Sequence, residues 1–289
     1  MRPSLSLIIG QTASGKTARA VEEARRENGA LINCDSRQVY TSLDIITGKT
    51  DNPEDIPMHA VDLCDPHTYF SAANYATAAR AALAHIMSEG KRPIVVGGTG
   101  MYARFFLHGV PSLMNHSYPD RAPESTTSVA DLVQRIGSLD PSALNTLNTS
   151  DRANPRRLTA LIQRLTRTEE SVSPLSMESP DTIANQFDVQ TTILIHRSPA
   201  LLDKRLRSRI QERITAGALD ECRSLMERGY TLDDPGLHTI GYRSVFAHIA
   251  GTLSLEAMIE EWFYEERHYA KRQKTYFLKY FPSATIVEV

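Results

Sequence analysis

The sequence predicts an α/β fold: a parallel sheet flanked by helices, interrupted by a mostly helical insertion. Short apolar runs alternate with loops and helical stretches over residues 1–110. A glycine-rich loop joins the first apolar run to the first helix. Beyond Pro111 the composition changes, with Pro119 and Pro123 following in a polar stretch before helical segments take over. Strands alternating with helices are the pattern of a parallel sheet covered on both faces.

In chain order, Leu5–Ile9 reads as a buried strand and Lys16–Arg26 as a helix, stopped by Asn28-Gly29. Ala30–Cys34 is a second strand, ending at Asp35. The following stretch, with Gly48, Pro53 and Pro57, reads as loop, and alanine-rich Ala72–Met87 as helix. Pro93–Val96 forms a third strand, closed by Gly97-Gly98-Thr99-Gly100, and Met101–Leu107 starts another helix. Residues 111–128 read as a linker. Val129–Ile136, Pro141–Leu147 and Pro155–Leu165 read as short helices, and 168–182, rich in Ser, Glu and Pro, as a mobile loop. Strand character returns at Thr191–Ile195. Helices follow over Pro199–Ile214, Leu219–Arg228, Tyr242–Ile249 and Leu255–Tyr280, then a last strand at Ala284–Val289. The division this predicts is a catalytic core of residues 1–110 and 190–289 around an insertion of residues 111–189.

Composition sets limits on function. The 289 residues are 41% hydrophobic and 23% charged, an ordinary globular balance, and the formal charge is -2. Nucleic-acid binding therefore has to come from local basic patches. Cys34, Cys64 and Cys222 are far apart with no metal-ligand spacing, which fits indifferent thiols in a reducing cytoplasm. No run of 18 or more apolar residues is present, so no helix is expected to span a membrane. A secretory leader is not expected, because the glycine loop follows the first strand directly.

Gly10-Gln11-Thr12-Ala13-Ser14-Gly15-Lys16-Thr17 matches GxxxxGK[ST] in its strand-to-helix context. This is the P-loop, and it makes the expected core P-loop NTPase-like. Successive N–H groups and a helix N-terminus face phosphate oxygens; Lys16 adds a charge, and the Thr17 hydroxyl can ligate Mg²⁺. Read alone, the loop means nucleotide (ATP) binding. Yet the strand Ile94-Val95-Val96 ends in Gly97-Gly98-Thr99-Gly100 with no acid, where a P-loop NTPase carries a metal-binding carboxylate. Asp35, at the end of another strand, can be a metal ligand or a general base. The GGTG run is either a plain turn or a close approach of backbone to ligand, with Thr99 as a hydroxyl donor. Ligands in such sheets sit beyond the carboxyl ends of the strands, where Asp35, Thr99 and the loop converge.

Further motifs follow in order: Asp35-Ser36-Arg37-Gln38-Val39-Tyr40, Asp44-Ile45, Gly97-Gly98-Thr99-Gly100-Met101-Tyr102, Ile240-Gly241-Tyr242 and Ala270-Lys271-Arg272-Gln273. Together they are far more specific than the P-loop. Over nearly its whole length the chain resembles the bacterial tRNA dimethylallyltransferases (tRNA isopentenyltransferases). The resemblance implies transfer of a dimethylallyl group from dimethylallyl diphosphate to the N6 amine of an adenosine next to the anticodon, with Mg²⁺ assisting. It implies that the P-loop holds the donor's diphosphate rather than ATP. Asp35 is then the base that takes the amine proton. Lys16, Thr17, the loop N–H groups and Thr99 stabilise the leaving diphosphate. Arg209 and Arg213 are alternative candidates for an arginine that grips it, or else part of a solvated helix face.

The same resemblance assigns Asp35, Ser36, Arg37, Gln38, Thr99, Arg121, Arg156, Arg157, Lys271, Arg272 and Gln273 to contacts with the tRNA anticodon stem-loop. Basic and aromatic residues interleave on the last long helix, which suits RNA or, on charge alone, a solvated face. The chain departs from the family's pattern at Ile46 and Gly48, at Ala160 in the insertion, in a shorter link between Arg213 and Gly217, and at Tyr276 and Leu278. These departures cluster in tRNA-binding parts and one diphosphate-side helix. A monomer in the cytoplasm is expected. Competing readings are prenyl transfer to free adenine nucleotides, an ATP-dependent kinase or NTPase, and a tRNA-binding protein without catalysis.

Overall fold

The computed structural model describes residues 2–49, 55–110, 128–147, 149–167 and 182–289. Most of the expected linker and loop, and Arg121, lie outside the described residues. The order is β1 (Ser4–Gly10), α1 (Lys16–Glu27), β2 (Gly29–Asn33), β3 (Met58–His59), α2 (Ala72–Ser88), β4 (Arg92–Gly97) and α3 (Gly100–His108). The insertion holds α4 (Val129–Leu139), α5 (Thr149–Arg152) and α6 (Pro155–Arg167). The chain returns through α7 (Ile183–Gln186), β5 (Asp188–Ile195), α8 (Pro199–Thr215), α9 (Ala218–Glu227), α10 (Tyr242–Ile249), α11 (Leu255–Tyr280) and β6 (Thr285–Glu288).

The strands form one parallel sheet in the order β3-β2-β4-β1-β5-β6. β1 is central, with Ile9 beside Gly97 and Gly10 beside Leu194. It is buried on both faces, hence its apolar run. Alternation sorts its side chains. Leu5, Leu7 and Ile9 join the large cluster containing the interiors of α2, α3 and α8–α11, while Ile8 joins a smaller one under α1. The parallel register brings the ends of β2, β4 and β1 side by side, so that Asp35, the GGTG turn and the phosphate loop share one edge.

The helix starts and stops follow local chemistry. α1 stops at Asn28 in the left-handed conformation. Ser71 caps α2 by accepting the Asn74 N–H. α11 runs 26 residues, with Met258, Trp262, Phe263, Glu266, Ala270, Gln273 and Phe277 buried at helical spacing. Two polar residues in that stripe, Glu266 and Gln273, matter to the site.

α4 and α6 enclose a separate apolar cluster of Leu132, Ile136, Ala143, Leu147, Leu158, Leu161 and Ile162. Three differences from the sequence expectation stand out. Met58–His59 is an edge strand in a stretch read as loop. Pro141–Leu147 contains a 3-10 turn at Ala143–Thr146 instead of an α-helix, because Asp140 accepts the Ser142 N–H and starts a tight turn. α5, α7 and a 3-10 turn at Pro235–His238 are too short to leave a periodic signal.

Candidate active site

A cleft of about 570 Å³ opens at the carboxyl edge of the sheet. Its floor is the phosphate loop from Thr12 to Thr17, its far wall Arg205, Ser208 and Arg209 of α8, and its rim Asp35, Arg37, Gln38 and Thr47. Gly15 stands at φ 78, a left-handed turn that starts α1. Lys16 is half-buried here, and its Nζ donates to the Gln11 carbonyl at 2.6 Å. Burial depresses its pKa to about 7; the nearby Asp35 carboxylate opposes the shift, and Arg209 and Arg37 add to it.

The loop is tied to α11. The Thr12 N–H donates to Gln273 Oε1 (2.8 Å), and Gln273 Nε2 donates to the Gly98 carbonyl (2.8 Å). Gln11 Nε2 donates to the Ala270 carbonyl (3.1 Å), and its Oε1 accepts the His196 N–H (2.8 Å). A Cβ on Gly98 would stand 2.5 Å from Gln273 Nε2 and 3.2 Å from Asp35 Oδ2. Only glycine leaves room there for the turn, the glutamine and the carboxylate.

Asp35 is set by its own backbone surroundings. Its Oδ1 accepts the Arg37 N–H at 3.0 Å and makes a longer contact of 3.4 Å with Arg37 Nε. The other end of the guanidinium goes to Glu266, with Nη1–Oε1 at 3.0 Å. Glu266 also pairs with Arg213 at 3.3 Å and is only 2% exposed. Burial alone would raise its pKa, but Arg37, Arg213 and Arg209 outweigh it and hold the carboxylate down to about 2. Arg37 stays cationic against its own burial because Glu266 and Asp35 flank it. Tyr269 lies beneath, its ring 4.9 Å from the Arg37 guanidinium; burial, then Asp35, push its hydroxyl up to about 12.

Several residues stand otherwise than the sequence reading had them. Arg37 and Gln273, expected at the tRNA, are buried and bonded within the protein, because each satisfies buried partners on a neighbouring element. Arg213, a candidate for the diphosphate, is turned to Glu266 and lies outside the cleft lining. Arg209 does line the cleft and reaches Thr12 Oγ1 at 3.4 Å. Thr99 is also off the phosphate floor: its Oγ1 accepts the Ser36 N–H (2.9 Å) and donates to Ser36 Oγ (3.1 Å), beside Asp35. Lys271 and Arg272 are exposed on α11, as expected. Arg157, at the start of α6, is exposed and paired with Asp151. The side chain of Arg156 lies outside what is described.

Sequence reasoning missed Glu266 and Glu221, and took Tyr269 only as one of the aromatics interleaved on the last helix. Glu221 on α9 accepts the N–H groups of Asp44 and Ile45 (2.8 and 2.6 Å) and the Tyr242 hydroxyl (2.7 Å). It thereby fixes the segment that carries Thr47 into the cleft. A signal for Glu266 was present, a lone acid in the apolar stripe of a long helix.

The fold and the cleft define a P-loop-type α/β protein with a carboxylate, Asp35, on the rim of its phosphate-loop cleft. Residues 38–280 match the family model described as IPP transferase. The chain is 34% identical to a tRNA dimethylallyltransferase of Geotalea uraniireducens, over 96% of this chain and 90% of that protein. The crystal structure of the tRNA isopentenylpyrophosphate transferase of Bacillus halodurans superposes with a TM-score of 0.68 at 27% identity, covering 99% of this chain and 90% of that one. A eukaryotic dimethylallyltransferase superposes at 0.77 over 99% of this chain and 74% of its own length, which at 23% identity bears on the fold alone. The chain belongs to the IPP transferase family.

Proposed function

We propose that the protein transfers a dimethylallyl group from dimethylallyl diphosphate to the N6 amine of the adenosine adjacent to the anticodon in tRNA, releasing diphosphate. The observation that carries this reading is the position of Asp35, on the rim of the phosphate-loop cleft, with the neighbouring Arg37 shared with Glu266. Family membership supports the substrates. The acid-free end of β4 supports a phosphate loop that holds a leaving group instead of hydrolysing ATP.

The adenine amine is a weak nucleophile, since its lone pair is delocalised into the ring. As the new C–N bond forms, Asp35 takes the N6 proton. The allylic C–O bond breaks and its electron pair leaves with the diphosphate. Lys16, Arg209 and the loop N–H groups beyond Thr12 hold the growing negative charge. Thr99 and Ser36 orient the acceptor side, next to Asp35. Access to the amine needs the base out of its stack, as single-stranded loops allow.

Among the described residues no group of three or more His, Cys, Asp or Glu could hold a metal. That fits Mg²⁺, which is held by few protein ligands plus substrate phosphates. The hydroxyl of Thr17 lines the cleft and is an oxygen donor of the right kind. Mg²⁺ there would neutralise diphosphate charge. Among the described residues no helix is long and apolar enough to cross a membrane. A cytoplasmic monomer is part of the proposal.

The test is incubation with Mg²⁺, dimethylallyl diphosphate and either unmodified tRNA or AMP, followed by nucleoside mass spectrometry. A prenyl mass gain on tRNA adenosine is the expected outcome. Product on AMP alone would move the acceptor to free nucleotides, and no product on either would reject the reading.

A further inference from the structure

One face of α11 carries a ladder of rings and cations, whose outer end the site described above does not use. Tyr269, Arg272, Tyr276, Lys279 and Tyr280 recur at three- and four-residue spacing, so they share one side of the helix. From Tyr269 to Tyr280 is about 16 Å at helical rise. The inner end, Tyr269, lies in the site, donating to the Gly98 carbonyl at 3.2 Å. The outer end reaches the surface, where Tyr276 and Tyr280 are half-buried with ring centroids 4.4 Å apart.

The outer end is braced from α3. A Cβ on Gly100 would lie 2.4 Å from the Tyr276 ring, so glycine there lets the first turn of α3 pack directly against it. One turn on, the Arg104 guanidinium lies 4.6 Å over the Tyr280 ring. Lys279 Nζ is 5.1 Å from the same ring, and the Arg272 guanidinium 5.8 Å from that of Tyr269. The Tyr276 hydroxyl itself is raised, first by burial, with Arg104 opposing.

From this arrangement we infer that Tyr276, Tyr280 and Arg104 form a stacking platform for an unpaired nucleobase of single-stranded RNA, placed beside the nucleotide whose base enters the site. The inference rests on the proposed tRNA acceptor and adds to it a contact made by a base instead of the phosphate backbone. Rings with adjoining cations bind nucleobases through their π-faces with little sequence preference. Every cation of the ladder matches the charge of the chain that would pass it. Their side-by-side spacing on a rigid helix suits successive nucleotides of a splayed loop.

The platform is tested by measuring binding of an unmodified anticodon stem-loop RNA, and of a fully paired RNA duplex, to wild type, Tyr280→Ala, Tyr280→Phe and Lys279→Ala over a range of salt concentrations. Tyr280→Ala should weaken stem-loop binding about tenfold or more, the scale of one base on one ring. Its salt slope and its duplex binding should stay as in wild type, and Tyr280→Phe should restore the affinity. Lys279→Ala should instead flatten the salt slope. Equal stem-loop affinity for wild type and Tyr280→Ala, or an equal loss on the duplex, would overturn the platform. Prenyl transfer to the stem-loop by wild type is scored separately. Transfer with no Tyr280 effect sinks the platform alone; absent transfer sinks the proposed function, while the Tyr280 comparison still decides the platform.

Discussion

Asp35 and Glu266 compete for one guanidinium, that of Arg37. Arg37 is 3.0 Å from Glu266 and 3.4 Å from Asp35 Oδ1, so its main partner is the acid that does no chemistry. Glu266→Gln would leave Arg37 and Arg213 without their buried counter-charge. Breaking such a pair costs about 3–5 kcal/mol of stability. Arg37 would then turn fully to Asp35 and occupy its carboxylate. Denaturant unfolding should show the loss of stability, and single-turnover transfer should slow while donor binding changes less. Glu266→Asp should recover part of both. Unchanged stability and rate would remove Glu266 from this role.

Lys16 gives a second prediction at the same scale. With its pKa depressed to about 7 by burial, the ligand-free protein loses this charge as pH rises through that value. A bound diphosphate restores the ammonium, so binding takes up a proton above the depressed pKa and weakens as pH climbs. Calorimetric titration of pyrophosphate with Mg²⁺, in buffers of different ionisation enthalpy, should find uptake nearing one proton at about pH 8 and almost none at about pH 6. Pyrophosphate binding without pH-dependent uptake would contradict the placement of Lys16. Lys16 and Thr17 were legible in the sequence because they close the phosphate-loop motif at the start of α1, and Asp35 because it follows β2 within a motif. The pairing of Glu266 was not, because its partners are 229 and 53 residues away in the chain.

Among the elements, α11 does two jobs that the sequence showed as one. Its AKRQ segment reads as a basic, RNA-facing motif, and Lys271 and Arg272 are indeed exposed. The glutamine of that motif faces the other way and clamps the phosphate loop to the GGTG turn. Helical periodicity separates these faces, yet a motif written as a string does not. Gln273→Leu would orphan the Thr12 N–H and the Gly98 carbonyl, at about 1–3 kcal/mol for each buried group. Its denaturant midpoint should fall, and the KM for the donor should rise because the loop loses its anchor. A variant with wild-type stability and donor KM would show that the clamp is not needed. The strands and long helices were legible from burial period and caps, whereas the edge strand β3 and the one-turn helices were too short for any period to register.

At the scale of the whole molecule, parallel strands place three distant sequences at one edge. The ends of β2, β4 and β1 bring Asp35, Gly98 and the phosphate loop together, and α8 and α11 close the sides. The insertion packs its own apolar cluster and leaves that edge to the core. Strand alternation made the parallel sheet legible, but not the order of its strands, which depends on crossovers that no single segment encodes. The convergence defines the central claim, a diphosphate cradle with a carboxylate base on its rim. Comparing wild type with Asp35→Ala tests it most directly, by single-turnover prenyl transfer to tRNA alongside equilibrium binding of dimethylallyl diphosphate. Transfer should fall by about 100-fold or more with donor affinity largely kept. Near-normal transfer by Asp35→Ala would contradict the claim.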